Sequence, residues 1–369
     1  MMQTDFFEDG RPSIATAPDI DLALAAGAPV AVGVSGGKDS QACALAVARH
    51  LNAIGHTGPR LLVHSDLGRV EWKASLPVCE ELARHLGWEL LTVRRRAGDL
   101  MDRWWTRWKN NVTRYANLEC VKLVLPWSTP SMRFCTSELK TAVIASALRK
   151  RWPKGPIVSV VGIRADESAA RAKMPVSAVH AKLERRDAPG LSWHPILAWS
   201  LEDDLALIGE EGLALHPAYT LHGSSRVSCA FCIMSSAADL KAAAGAEENA
   251  DIYREMVALE LCSTFAFQSS RWLCDVAPKL LTVVERARIP DVKARGAARS
   301  AAEARIPDSL LYVKGWPTFI PSLEESALVA EVRKEVAHAV GIRVDFTHAG
   351  TVQKRYAQLY SAARGKVAA

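Results

Sequence analysis

The chain has 369 residues, 49% of them apolar and 23% charged, with a formal net charge of +6. These proportions exclude extended disorder over most of the length. No run approaches the roughly 18–20 uninterrupted apolar residues of a membrane span, and the N-terminus lacks a basic segment followed by an apolar one, so no membrane partner and a cytoplasmic location are expected.

Residues 1–28 read as an N-terminal segment. Residues 29–34 are predicted to be a short buried strand, and 40–54 a helix with Cys43, Leu45, Ala46, Val47 and Leu51 on or near its apolar stripe. A second strand is predicted over 61–64, a helix over 74–86 with Gly87 as its stop, and a third strand over 89–93. Residues 94–115 form a basic insertion: seven Arg or Lys from Arg94 to Arg114 against Asp99 and Asp102, with Trp104, Trp105 and Trp108 interleaved. Basic residues contact phosphates and aromatic faces stack on bases, so a nucleic-acid contact is one reading. The other is a packed amphipathic helix, because Met101, Trp104 and Trp108 share a face. A fourth strand is predicted over 157–161. Strands separated by helices imply an α/β domain over 29–236, a parallel sheet with helices on both faces whose ligands bind at the C-terminal strand ends. Residues 237–369 are predicted to be mostly helical, with breaks at Pro290, Pro307, Pro317 and Pro321.

The sharpest motif is Ser35-Gly36-Gly37-Lys38-Asp39-Ser40, between the first strand and its helix. Two glycines let backbone N–H groups approach an anion, the helix start adds its positive dipole end, and Lys38 adds a mobile charge. Asp39 beside polyphosphate suggests Mg²⁺. A Walker A loop is excluded, because Val32 and Asp39 stand where that pattern needs Gly and Ser or Thr.

Further segments follow the strands. His64-Ser65-Asp66 through Glu71 ends the second strand. Arg133-Phe134-Cys135-Thr136-Ser137-Glu138-Leu139-Lys140 places a cysteine between cations, which favours thiolate. Gly162-Ile163-Arg164-Ala165-Asp166-Glu167-Ser168 with Arg171 follows the fourth strand and offers phosphate clamps. His216-Pro217-Ala218-Tyr219 precedes Arg226 and the Cys229–Cys232 pair, whose spacing suits a metal. Cys135, Cys229 and Cys232 with His216 or His222 could hold Zn²⁺. Cys43, Cys79, Cys262 and Cys274 read as core residues.

Together these blocks resemble the phosphoadenosine phosphosulfate (PAPS) reductase-like branch of the PP-loop ATP pyrophosphatases, over about Val30 to Ser236. Within it the chain is most similar to the ATP-dependent sulfurtransferases of DNA phosphorothioation systems and to phage relatives. The resemblance implies ATP and Mg²⁺ bound by Ser35–Ser40, Asp66, Gly162, Arg164, Glu167 and Arg171. It implies catalysis by Lys38, Asp39, Cys135 and Arg164, and substrate phosphate contacts from Arg133, Lys140 and Arg226. It implies a [4Fe–4S] cluster on Cys135, Cys229 and Cys232, with the family's last cysteine replaced by Ser235; Cys120, Cys262 or Cys274 is the alternative fourth ligand. The implied reaction is adenylation of a nucleic acid, DNA or tRNA, with pyrophosphate release, followed by sulfur transfer. A cysteine desulfurase or another donor would supply the sulfur. The rivals are a sulfonucleotide reductase, a non-catalytic nucleotide- and nucleic-acid-binding protein, and adenylation followed by attack of an amine. The intact loop and a last cysteine at position 274 argue against the reductase.

Overall fold

Residues 13–365 are described here from a computed structural model; residues 1–12 of the expected N-terminal segment lie outside them. The chain divides into two compact units, residues 1–100 with 130–249, and residues 101–129 with 250–369.

The first unit is built on a six-stranded sheet. After α1 (Pro18–Ala25), β1 (Val30–Val34) leads through α2 (Lys38–Ala53) to β2 (Arg60–Asp66), and α3 (Ser75–Leu86) leads to β3 (Glu89–Arg94). The chain leaves through α4 (Leu100–Ala116) and returns through α5 (Phe134–Thr136), a π turn over Ser137–Thr141 and α6 (Ala142–Arg151). β4 (Ile157–Val161), β5 (Ser177–Val179), β6 (Gly190–Trp193), α7 (Leu201–Glu210), α8 (Pro217–Thr220) and α9 (Ala237–Gly245) complete it. The strand order is β3-β2-β1-β4-β6-β5. All pairs are parallel except β5–β6.

Alternation along β1 sorts the core. Val30, Val32 and Val34 pack with α2, α3 and α7 through Ala42, Val47, Leu82 and Leu207, whereas Ala31 packs with Ala145 and Leu148 of α6. Helices therefore cover both faces, as expected. The direction of strand succession reverses between β1 and β4, and the crevice outside the carboxyl ends of such neighbours is where open α/β sheets hold ligands. The loops after β1 and β4 carry the SGGKDS and GIRADES segments, so topology alone brings them together.

The second unit contains α4, α10 (Ala250–Ser263), α11 (Val283–Ala304), α12 (Leu323–Val340) and α13 (Ala349–Gly365). Met101, Trp104 and Trp108 are buried, and Trp104, Trp127 and Phe267 meet edge to face at 5.2–6.4 Å. The amphipathic-helix reading of the insertion therefore holds, and Trp104 and Trp108 have no free face for bases. This insertion packs with the C-terminal helices rather than within the α/β domain, and residues 237–249 belong to the first unit. The expected break at Pro290 is also absent. Helix α11 runs through it, because one missing N–H is outweighed by the packing of Val292, Gly296 and Ala302 beyond it. Pro307, Pro317 and Pro321 do lie between α11 and α12. Cys262 is exposed, against the core expectation, whereas Cys43, Cys79 and Cys274 are buried. No helix among the described residues is long and apolar enough to cross a membrane.

Candidate active site

The loop after β1 is fixed by its own hydroxyl. Ser40 Oγ donates to the Gly37 carbonyl at 2.8 Å and accepts the Ser35 N–H at 3.3 Å. Gly36 stands at φ +78°, and a Cβ there would lie 3.0 Å from the Ser75 carbonyl and 3.2 Å from the His216 ring. Only glycine adopts that backbone without strain. Gly37 has no side chain to cap α2, so apart from the Lys38 N–H, which Tyr219 takes, the helix start offers its free N–H groups and dipole to an anion.

Tyr219 fastens this loop to the next. Its hydroxyl oxygen accepts N–H groups from Lys38 at 3.3 Å and from Val227 at 3.2 Å. The Lys38 ammonium lies 4.7 Å over the Tyr219 ring and donates to the Ser225 carbonyl at 3.1 Å. Asp239 holds Ser225 in turn through its N–H at 2.7 Å and its hydroxyl.

Arg164 is the centre of the charge arrangement. It is 5% exposed, and its Nε lies 2.7 Å from Asp39 Oδ1 and 3.0 Å from Asp204 Oδ2, while Nη1 reaches Asp166 at 2.5 Å. Burial would raise Asp39, but the Arg164 hydrogen bond and the charges of Lys38 and Arg164 hold it below the usual carboxylate range. Asp204 is fully buried. Its oxygens make no well-aligned hydrogen bond, and burial with the nearby Asp39 charge pushes it up to about 8. At neutral pH this pair therefore carries one negative charge opposite Arg164. Glu167 accepts the Arg164 N–H at 3.1 Å and pairs with Arg171. Burial lowers Arg171, and the charges of Arg226, Arg133 and Arg164 lower it further while Asp39 opposes them, so four guanidiniums act on one another across this region. A cluster of cations that repel one another is relieved by a polyanion.

Most of the expected nucleotide residues are thus assembled. Gly162 is there for close approach: a Cβ would run into the Asp39 carbonyl and sit 2.8 Å from Cys43 Cβ. Asp66 differs. It accepts the Gly68 N–H at 2.7 Å and lies 3.8 Å from Arg94, so it shapes its own turn instead of the phosphate loop. Tyr219, Asp204 and Asp239 belong to the arrangement without having been singled out as site residues.

Cys229 and Cys232 lie on the loop that follows, and Cys135 on α5. Val227 would be 3.6 Å from a Cβ on Gly37, and Cys229, two residues on, forms an antiparallel bridge with Glu71. The Cys229 thiol is pushed up by burial, by Cys232, and by Glu71 and Cys135, while Lys140 opposes them. Cys232, Lys140, Glu71 and Cys135 thus lie close enough to act on the Cys229 thiol through their charges. Cys232 Sγ accepts the Met234 N–H at 3.4 Å. Behind them, burial pulls His64 down, but Cys79 and Glu71 outweigh it and hold the imidazolium up to about 10; its Nε2 lies 3.2 Å from Glu71.

The metal expectations need correction. Among the described residues no three His, Cys, Asp or Glu side chains are placed to hold a metal ion. The three thiols approach one another without forming such a set, so neither a [4Fe–4S] cluster nor Zn²⁺ fits them as placed. His216 is no ligand: Nδ1 accepts the Ala218 N–H at 2.9 Å, Nε2 faces Ser75 Oγ at 3.3 Å, and burial lowers it to about 4. His222 lies against Trp72, ring centroids 5.6 Å apart. Cys120, Cys262 and Cys274 belong to the second unit, with Cys120 buried beside Asn111 and Cys274 beside Asp275. Asp39 already pairs with Arg164, which leaves it poorly suited to Mg²⁺.

Residues 29–235 match the family model of the phosphoadenosine phosphosulfate reductase domain. An uncharacterised 37.8 kDa protein of Escherichia phage 186, from the gpa 5′ region, is 36% identical over 114 residues, 29% of this chain; the match spans 32% of that relative's length. The solved structure of a phosphoadenylyl-sulfate (PAPS) reductase from Candida auris, a phosphate complex, aligns with 59% of this chain and 97% of its own at 12% identity, with a TM-score of 0.37.

Proposed function

The chain belongs to the phosphoadenosine phosphosulfate reductase domain family, and on that premise we propose that it is an ATP-dependent, pyrophosphate-releasing sulfurtransferase acting on a nucleic acid. The observation that supports this reading is an intact anion loop paired with Arg164 and joined, through Tyr219 and Val227, to the loop that carries Cys229 and Cys232.

ATP lies with its phosphates on the Gly36–Lys38 backbone. An acceptor oxygen attacks the α-phosphorus, and pyrophosphate leaves. Lys38, Arg164 and Arg171 face the charge that develops on the phosphate oxygens, and their fixed geometry means little reorganisation during the step. Asp39 keeps Arg164 aimed at the crevice.

Sulfur then arrives as a persulfide on one of the three thiols, loaded by a separate donor such as a cysteine desulfurase. The terminal persulfide sulfur displaces AMP from the adenylated acceptor and leaves it joined to the cysteine by an S–S bond. A second thiol attacks the cysteine's own sulfur in that bond. This frees the thiolated acceptor and forms a Cys–Cys disulfide, which an external dithiol reduces. No step passes through a metal, since the thiols as placed do not form a metal site.

The family's description keeps one alternative open, thiol-dependent reduction of a sulfonucleotide. Both are tested together. ATP with DNA or tRNA is expected to give AMP and pyrophosphate, with sulfur incorporated only when a persulfide donor is present. Sulfite released from phosphoadenylyl sulfate with a dithiol, and no pyrophosphate from ATP, would replace the proposal by the reductase.

A further inference from the structure

Outside the nucleotide crevice, the first unit carries a cavity of about 550 Å³ along α6. One wall is Ala142, Ala145, Ser146, Arg149, Lys150 and Pro153, spaced as a single helix face; the other is Lys182 and Arg185. Leu183, between those two cations, is 1% exposed and packs in the same core cluster as Ala145 and Leu148. The second wall is therefore anchored beside the helix rather than draped over it.

The lining holds four cations and no acid. Arg149 and Lys150 are exposed, and among the described residues neither pairs with a carboxylate. Arg185 donates to the carbonyls of Trp152 and Gly155, and Lys182 to the Ser137 carbonyl at 2.9 Å, which fixes their positions and leaves their charges uncompensated. Glu184 and Asp187, the acids nearest in sequence, do not line the cavity.

The position of the upper end gives this a direction. Helix α6 continues from the π turn that holds Lys140, and Lys182 grips Ser137, two residues after Cys135. The groove's first lining residue, Ala142, directly follows that π turn, and the groove runs along α6 for about 15 Å, the length of a ten-residue helix.

We propose that this groove holds the phosphodiester backbone of the nucleic-acid acceptor, leading the strand to the Cys135 turn; the inference rests on the nucleic-acid reading of the function. Two to three phosphates of an extended strand fit that length, and uncompensated cations on a fixed frame match their charge. The surface reads no sequence, because its donors reach phosphates and not base edges.

The test is fluorescence anisotropy across a salt series, with a labelled single-stranded DNA, the matching duplex and a tRNA, for wild type and for Arg149→Ala with Lys150→Ala. The double variant is expected to weaken binding about tenfold and to reduce the slope of log affinity against log salt by about 1.4 for the single strand and about 1.8 for the duplex. A strand bearing a photoreactive iodouridine is expected to cross-link to the peptides spanning 142–153 or 180–186. Wild-type binding with an unchanged slope in the variant, and cross-links elsewhere, would overturn the groove and leave the acceptor reading intact. No binding of any of the three probes by the wild type would overturn both. Equal displacement by inorganic tripolyphosphate at matched phosphate concentration would assign the groove to free polyphosphate.

Discussion

Gly36 shows how a single residue ties backbone to chemistry. Its left-handed φ and the 3.0 Å gap to the Ser75 carbonyl leave no room for a side chain. Gly36→Ala is expected to cost about 1–2 kcal/mol in stability, read by denaturant unfolding, and to lower ATP affinity further by turning N–H groups away from the phosphates. Cys229→Ser tests the other half of the site. It is expected to abolish sulfur incorporation while pyrophosphate release continues, which separates activation from transfer in one assay. Residue patterns showed the loop, Arg164 and the cysteines because each sits in a contiguous motif. Asp204 gave no such signal: it follows Glu202 and Asp203 at a helix start, where acids are ordinary, and only the fold reveals that its carboxyl points inward to Arg164. Tyr219 was visible as part of a block, but its bond to Lys38 spans 181 positions and no local pattern encodes it.

Among the elements, the long ones were legible and the short ones were not. Apolar periodicity located β1–β4, α2 and α3. β5 and β6 are three and four residues long, too short for alternation to register. Helix α4 is the instructive case, since its tryptophans fit either a base-stacking surface or a packed face. Trp104 is 2% exposed against Trp127 and Phe267. Trp104→Ala is expected to destabilise the second unit by about 3–5 kcal/mol, measured by chemical denaturation, because the neighbours cannot close the void. Arg94 at the end of β3 and Arg96 beyond it remain exposed, so the basic character of that region survives the burial of its rings.

For the whole molecule, three buried carboxyls, Asp204, Glu260 and Glu303, and one histidine are held above their ordinary values and shape the response to pH. Asp204 is held up to about 8 by burial and Asp39, and Glu260 up to about 7 by burial, even though it accepts three backbone N–H groups. His64 is held up to about 10. Each binds more protons folded than unfolded above its ordinary value, so the stability it contributes is lost as pH rises towards its folded value. His216, lowered to about 4, acts in the opposite sense, but only below about 6.5. The melting temperature is therefore expected to fall between pH 6.5 and 8. Asp204→Asn is expected to flatten that decline; an unchanged slope would show that Asp204 does not share a proton with Asp39.

The hydroxyl of Tyr219 also bears on the order of events. One oxygen receives the N–H of Lys38 in the anion loop and the N–H of Val227, two places before the Cys229 thiol. In the proposed reaction, nucleotide binding at Lys38 and the placement of the Cys229 loop are therefore coupled through this one joint. Hydrogen exchange is expected to slow at Lys38 and Val227 in step when ATP is added, and Tyr219→Phe to let the two amides exchange independently, turning a timed sequence into two unsynchronised ones.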